Sequence, residues 1–399
     1  MPSATMPTSL GRRLRDRVRR DGPGSPSARG RADRIGGMRY LLGDYTTEGG
    51  PGLVVAGPDG LGAAAPVVNP SWVHVGPEAV YTLTETEPGF AAAWSIGEDF
   101  ALDRAGQGQS TGGNNPCHAV VDPSGRWLLV ANYGAADGAG ATVAVLPIGE
   151  GGQLGPAASV FQLTGSGPDP ERQSGPHAHQ VVCRLGRVLV VDLGSDRIHA
   201  FDLGEDGVLT PAATTALEPG FGPRHLAFVG DRAVVAGELA NAVVVGSFDE
   251  RSATFSFGPV VPLPSGDVAD LAALPDIGLD ERVPDPAPAA VVADPERGLA
   301  YITVRGPDHV VAVDPADGSL VRAVPVGAAW PRDAVLTGDG TLLVACQHSG
   351  VVTRVDPTGE EAPTVEWTVP GVTCVAPIAL GHPARVNLHA LQNFTSGIL

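Results

Sequence analysis

The chain has 399 residues, of which 43% are hydrophobic and 18% charged, and its formal net charge is −18. Every basic residue is an arginine, because the sequence contains no lysine. This acidic composition argues against partners such as nucleic acid and anionic membranes. No apolar run approaches the roughly 18 to 20 residues that a membrane-spanning helix needs, and the composition predicts a soluble, well-packed protein.

The first 37 residues are rich in arginine, glycine, proline and serine and have no hydrophobic periodicity. We interpret residues 1–37 as a disordered tail or as an upstream extension of a protein that starts at Met38; a transit peptide is the weaker alternative. Residues 38–399 are predicted to form one domain. The four cysteines are scattered without a CxxC pair, which favours a reducing, cytoplasmic compartment and neither a disulfide framework nor a zinc cage.

One strand–turn–strand unit recurs along this domain. NPCHAVVDPSGRWLLVANYG (115–134) resembles APAAVVADPERGLAYITVRG (287–306) and WPRDAVLTGDGTLLVACQHSG (330–350). Each copy has a proline, a short apolar run, a tight turn and a second apolar run. The anchoring prolines of six copies are Pro70, Pro116, Pro176, Pro223, Pro288 and Pro331.

The spacing between successive anchor prolines is typical of four-stranded antiparallel propeller blades. The sequence therefore predicts an all-β, seven-bladed β-propeller, in which the N-terminal run RYLLGDYT (39–46) joins C-terminal strands near VEWTV and CVAPIAL in a seventh blade. Closing the ring in this way removes a free sheet edge.

Equivalent positions in the blades form rings around the central channel. The residues after the anchor prolines are Ser71, Cys117, His177, Arg224, Ala289 and Arg332. The ends of the second strands supply Glu85, Tyr133, Leu193, Glu238, Arg305 and Gln347, with Asn132 and Asp192 one residue earlier. Because the first two strands of a blade are antiparallel, both rings are predicted at one mouth of the channel. Arginines converging there favour an anionic small ligand, although these groups could merely neutralise one another.

The stretch GPHAHQVV places His177 and His179 on one face of a predicted strand. Such a pair suits a metal site, an acid/base site or a solvated strand end. No other blade offers a matching pair of ligands, so we assign no metal and no cofactor. GQSTG (108–112) matches the serine-hydrolase pattern without its strand-to-helix context, and we treat that match as chance.

The motifs DPSGRWLLVANYG, GPDPERQSGPHAHQVV, GPRHLAF, VRGPDHVVAVD and PRDAVLTGDGTLLVACQ occur in this order. Together they resemble the lactonase family of seven-bladed propellers, which includes the cycloisomerase type of 6-phosphogluconolactonase and the carboxy-muconate lactonising enzyme. The resemblance implies a metal-independent enzyme whose catalytic group maps to His177, Arg224, Glu238 and Arg305. This chain differs from the family pattern at Gly237, and also at Val304 and Cys346, where the family usually has asparagine.

The resulting hypothesis is hydrolysis of an anionic sugar lactone, most simply 6-phosphogluconolactone in the pentose phosphate pathway. We expect the propeller to act as a monomer. We expect His177 to be the base, Glu238 its orienter or an alternative base, and Arg224 or Arg305 the oxyanion partner. The residues predicted to bind substrate are His179, Arg332, Asn132, Asp192 and Gln347. The alternatives are a muconate-type cycloisomerase and a non-catalytic propeller that binds a ligand or a protein.

Overall fold

The computed structural model describes residues 37–97, 99–138, 140–265 and 286–378. Within these ranges the chain forms seven antiparallel sheets. The short 3-10 helices are Thr46–Glu48, Glu150–Gly152 and Leu193–Ser195. The tail expected at 1–37 lies outside the described residues except for its last position. No helix in the described ranges is long and apolar enough to cross a membrane.

The strands follow one another in blades, after three N-terminal strands that belong to the closing blade. These three are β1 (Arg39–Asp44), β2 (Leu53–Gly57) and β3 (Gly60–Ala65). Blade 1 contains β4 (Trp72–Val75), β5 (Val80–Thr84), β6 (Phe90–Ile96) and β7 (Leu102–Ser110). Blade 2 contains β8 (Gly113–Val121), β9 (Trp127–Ala135), β10 (Thr142–Pro147) and β11 (Ser159–Gln162). Blade 3 contains β12 (Ala178–Arg184), β13 (Arg187–Asp192), β14 (Arg197–Leu203) and β15 (Leu209–Ala216).

The other blades repeat the same plan. Blade 4 contains β16 (Pro223–Val229), β17 (Arg232–Gly237), β18 (Ala242–Asp249), β19 (Thr254–Phe257) and the short β20 (Val261–Pro262). Blade 5 contains β21 (Ala287–Asp294), β22 (Leu299–Arg305), β23 (His309–Val313) and β24 (Leu320–Pro325). Blade 6 contains β25 (Pro331–Leu336), β26 (Leu342–Cys346), β27 (Val351–Val355) and β28 (Thr364–Thr368). The predicted seven-bladed propeller is thereby confirmed.

Blade 7 closes the ring by pairing the two ends of the described chain. Strand β29 (Val372–Ile378) pairs antiparallel with β1, with Leu41 opposite Ala376, and β2 and β3 follow outward. The expectation that VEWTV also belongs to this blade is wrong, because that segment is β28 and pairs with β27 at the outer edge of blade 6. One C-terminal strand and three N-terminal strands therefore make the closing sheet.

The core consists of apolar layers between neighbouring blades. Leu129 and Val143 of blade 2, for example, share one buried cluster with Val181 and Val190 of blade 3. Because each sheet is covered on both faces, its inner strands are nearly continuous apolar runs such as RVLVVD. Burial of these layers holds the blades together. The described cysteines form no disulfide bond.

Candidate active site

A β-bulge near the start of the innermost strand recurs in several blades. In blade 4 the pairing steps from Pro223–Gly237 to His225–Ala236, so that Arg224 is the extra residue. A bulge re-aims the side chain of the residue that it leaves unpaired. The bulged residues in blades 2, 3, 4 and 6 are Cys117, His179, Arg224 and Arg332.

This register corrects the sequence alignment of blade 3. Ala178, and not Pro176, takes the place of the anchor proline, because it pairs with Asp192 as Pro223 pairs with Gly237. His179 is therefore the counterpart of Arg224, whereas His177 lies before the strand. The proline in GPHAHQVV is two residues too early to mark the equivalent position.

Glu238 is the centre of a buried ion cluster. Its Oε2 lies 3.0 Å from Arg224 Nε and 2.7 Å from Arg305 Nη2, and the three side chains are 3 to 8% exposed. Glu238 directly follows β17, Arg305 ends β22 and Arg224 occupies the bulge in β16, so adjacent blades 4 and 5 bring them together. The second strands thus end at the mouth as the sequence predicted.

The charges of the cluster determine the state of its carboxylate. Burial alone would raise the pKa of Glu238, but Arg305, Arg224 and Arg172 outweigh it and lower the pKa to about 2. Glu238 is thus an ionised partner of arginines and a poor base near pH 7. Burial, aided by the charge of Arg305, lowers the pKa of Arg224 to about 9, so that it too remains charged.

Arg224 has donors that the protein does not use. Although its Nε is close to Glu238, neither Nε nor Nη1 makes a hydrogen bond within the described part of the chain. A buried guanidinium with an unused N–H favours a ligand that accepts hydrogen bonds, because an unsatisfied buried donor is costly. The arrangement can therefore bind an anion or a developing negative charge.

Arg172 completes the cluster, and the sequence analysis did not identify it as a site residue. Its Nη2 donates to Glu238 Oε1 at 2.6 Å, and its guanidinium lies near the hydroxyl of Tyr133. Arg172 lies in the loop before β12, within the stretch GPDPERQSGPHAHQVV. The ring argument considered only positions that repeat between blades, and Arg172 lies outside the repeated strand–turn–strand unit.

His177 is half-buried at the border of blades 2 and 3. Its ring stacks on Tyr133 with centroids 4.1 Å apart, and its Nδ1 lies 2.9 Å from the main-chain oxygen of Tyr133. A carbonyl oxygen can only accept, so Nδ1 carries the proton and Nε2 is left as an acceptor. The orienting partner of His177 is therefore the main-chain oxygen of Tyr133 and not Glu238.

His179 lies deeper, on the channel side of the same segment. It is 7% exposed, and its Nδ1 has no hydrogen-bond partner among the residues that the structure describes. Burial, followed by the charges of Arg224, Arg332 and Arg305, holds its pKa well below the usual value. The imidazole of His179 is consequently neutral and in electrostatic range of the arginines.

Arg332 and Gln347 form a second cluster at the rim. Arg332 Nη1 lies 3.3 Å from Gln347 Oε1 and Nη2 lies 3.6 Å from Glu85 Oε2, and the guanidinium covers the ring of Tyr45. Gln347 also donates to Glu48 at 2.8 Å. Both residues thus lie at the predicted mouth, with acidic partners of their own.

Asn132 and Asp192 have structural partners. Asn132 Nδ2 donates to Thr111 and Thr142, whereas Asp192 accepts from the main-chain N–H of His177. Both are 0% exposed. The structure therefore does not bring these two side chains to the mouth, and they hold the strand ends in place.

Below the mouth the innermost strands enclose a channel. Its polar lining includes His118, Gln180, His225 and Asp333, and the ring of His225 lies 5.4 Å from that of His179. No group of three or more metal-ligating side chains occurs among the described residues. Ser110 of GQSTG is exposed at the end of the outer strand β7.

Comparison with known proteins agrees with this architecture. A family model described as lactonase, 7-bladed beta-propeller, matches residues 43–377. The 6-phosphogluconolactonase of Bacillus subtilis is 30% identical over 71% of this chain and 78% of its own. The 6-phosphogluconolactonase of Formosa agariphila is 28% identical over 49% of this chain and 56% of its own, so the chain spans about half of that relative.

Solved structures show the same fold at lower identity. The periplasmic gluconolactonase of Pseudomonas aeruginosa is 24% identical with a TM-score of 0.74, over 86% of this chain and 99% of its own. A protein from Bacteroides fragilis is 24% identical with a TM-score of 0.72, over 90% and 100% of the two chains. At 24% sequence identity, these two structures show only that the chain shares their fold.

Proposed function

Because the chain belongs to the lactonase family of seven-bladed β-propellers, we propose that it hydrolyses an anionic sugar lactone without a metal ion. The observation that carries the proposal is the buried Arg224, which has an unused Nη1 beside the ionised Glu238. Opening a lactone creates negative charge on the carbonyl oxygen, and a fixed donor stabilises that charge by about 3 to 4 kcal/mol in other hydrolases.

His177 fits the role of general base. The Tyr133 carbonyl holds its Nδ1–H, so Nε2 can take a proton from a water molecule as that water attacks the lactone carbonyl carbon. The C=O electrons move to the oxygen, where Arg224 donates. When the intermediate collapses, the bond to the ring oxygen breaks and that oxygen receives the proton from His177. The product acid then ionises.

Glu238 keeps the arginines in position in this mechanism. Its two oxygens bind three guanidinium groups, which are those of Arg172, Arg224 and Arg305. One carboxylate therefore leaves two positive charges without an acidic partner in this cluster. A phosphate monoester carries a charge of about −1.5 to −2 near neutral pH, which supports 6-phosphogluconolactone as the substrate and a step of the pentose phosphate pathway as the reaction.

The test is hydrolysis by the purified full chain of 6-phosphogluconolactone, an unphosphorylated gluconolactone and a muconolactone. We expect turnover of the phosphorylated lactone with the highest kcat/KM, and a loss of about 10²- to 10³-fold in kcat for Arg224→Gln. Preference for the muconolactone would favour a muconate-type cycloisomerase. No turnover of any lactone by the folded protein would favour a binding propeller. The cytoplasmic, monomeric state stays a prediction.

A further inference from the structure

We propose that Arg172 determines specificity by binding the distal anionic group of the lactone, the group farthest from the carbonyl that is attacked. This inference rests on the proposed function and adds a residue that belongs to none of the repeated blade positions. It assigns different arginines to the two ends of the substrate.

Exposure separates Arg172 from the other members of the cluster. Its side chain is 44% exposed, whereas those of Arg224 and Arg305 are 3% and 8% exposed. All three bind the same carboxylate, so they form one site with an inner and an outer part. A ligand entering from solvent meets Arg172 first.

The hydrogen bonds of Arg172 leave part of its guanidinium free for a ligand. One edge is occupied by Glu238 Oε1 at 2.6 Å and lies near the Tyr133 hydroxyl. A guanidinium has five N–H donors in a planar fork, and the exposed edge retains donors for an incoming oxyanion. Phosphate and carboxylate groups match that fork by accepting two parallel hydrogen bonds.

The loop presents Arg172 in a preorganised form. The next residue, Gln173, is 0% exposed, and its Nε2 donates to the main-chain oxygen of Leu193 at 2.9 Å and to Asp196 at 2.8 Å. The main-chain N–H of Arg172 donates to Asp169 Oδ1 at 2.9 Å. Because the backbone is already ordered, binding needs little further loss of conformational entropy.

The proposed substrate has two groups that need a hydrogen-bond donor, one buried in the site and one near solvent. In a phosphorylated sugar lactone the carbonyl and the phosphate are at opposite ends of the molecule. Arg224, with its unused buried donor, suits the carbonyl oxygen, and Arg172 suits a group that remains near solvent. Arg332 is less suited to this task, because it is 17% exposed and already lies near Glu85.

The experiment compares binding and turnover of phosphorylated and unphosphorylated ligands. Calorimetric titration with 6-phosphogluconate and gluconate should show that Arg172→Gln weakens binding of the phosphorylated ligand by about 10- to 100-fold and that of gluconate by less than about 3-fold. Arg172→Lys should recover part of the loss, because it restores the charge without the fork. KM for the phosphorylated lactone should rise in parallel, with a smaller effect on kcat.

Arg187→Gln is the matched control, because Arg187 pairs with Asp202 on blade 3, outside this cluster. It should bind both ligands as the unmodified chain does. Equal weakening of both ligands by Arg172→Gln, or weakening of neither, would overturn the inference. If no lactone is turned over but the Arg172 variants still discriminate between the two ligands, the proposed function fails and the binding assignment stands.

Discussion

His177 Nδ1 lies 2.9 Å from the main-chain oxygen of Tyr133, and this contact determines which imidazole nitrogen can act as a base. The proton is on Nδ1 because a carbonyl has no proton to give. Nε2 is then the atom available to a water molecule. His179, in contrast, has an Nδ1 with no hydrogen-bond partner among the described residues.

We expect His177→Ala to lower kcat by about 10²- to 10⁴-fold, the range that general bases contribute. His179→Ala should act mainly on KM, because this imidazole faces the arginines without an orienting partner. Steady-state kinetics on both variants, with circular dichroism to verify folding, would distinguish them. A larger kcat loss for His179→Ala than for His177→Ala would assign the base to His179.

Removal of the central carboxylate should destabilise the propeller. Glu238→Gln leaves buried arginines without their common ionised partner, and breaking a buried ion pair costs about 3 to 5 kcal/mol. Urea unfolding should measure this loss. Asp202→Asn, at a pair whose carboxylate side chain is 57% exposed, is the control and should change stability by no more than about 1 kcal/mol. Equal effects of the two substitutions would show that the Glu238 cluster contributes little.

Acid should destabilise the fold below about pH 6.5. Burial keeps the pKa values of His118, His179 and His225 well below 6.5, so the unfolded chain binds more protons than the folded chain and stability falls as pH falls. Asp44 and Asp333 have the opposite effect, because burial raises the pKa of Asp44 to about 7 and that of Asp333 to about 6, and the stability that these groups contribute is lost as pH rises from about 4 through those values.

These three histidines outnumber the two carboxyls, and we therefore expect a lower Tm at pH 5 than at pH 7. Asp44→Asn should make the fall toward acid steeper, since it removes one of the two opposing contributions. Scanning calorimetry at both pH values tests the balance. A Tm that is higher at pH 5 would mean that the buried histidines are protonated in the folded state.

Ring closure should depend on β29. This strand pairs with β1, and its side chains, Val375 and Ile378 among them, join two apolar clusters between blades. A segment of residues 38–371 should fail to fold cooperatively, whereas one of residues 38–378 should unfold in one transition near the Tm of the full chain. Equal thermal stability of the two segments would contradict the role of β29.

Chelation should leave activity unchanged. His177 and His179 have different environments, since one stacks on Tyr133 and the other faces the channel arginines, and a zinc site needs three or four ligands. Lactone hydrolysis is measured before and after dialysis against EDTA. Loss of activity that zinc restores would make the HxH pair a metal site.

Sequence by itself determined the propeller, the closing of the ring and the mouth at which Glu238 and Arg305 meet. Strand period, turn residues and repeat spacing are local properties, and antiparallel pairing then places the ends of second strands together. Only the tertiary structure decided which face a side chain takes, because the bulge sets the register of the innermost strand. In blade 3 that register puts His179, and not His177, at the position equivalent to Arg224 of blade 4. Arg172 reached Glu238 through a loop outside the repeats, and Asn132 and Asp192 turned inward to partners that no spacing rule identifies.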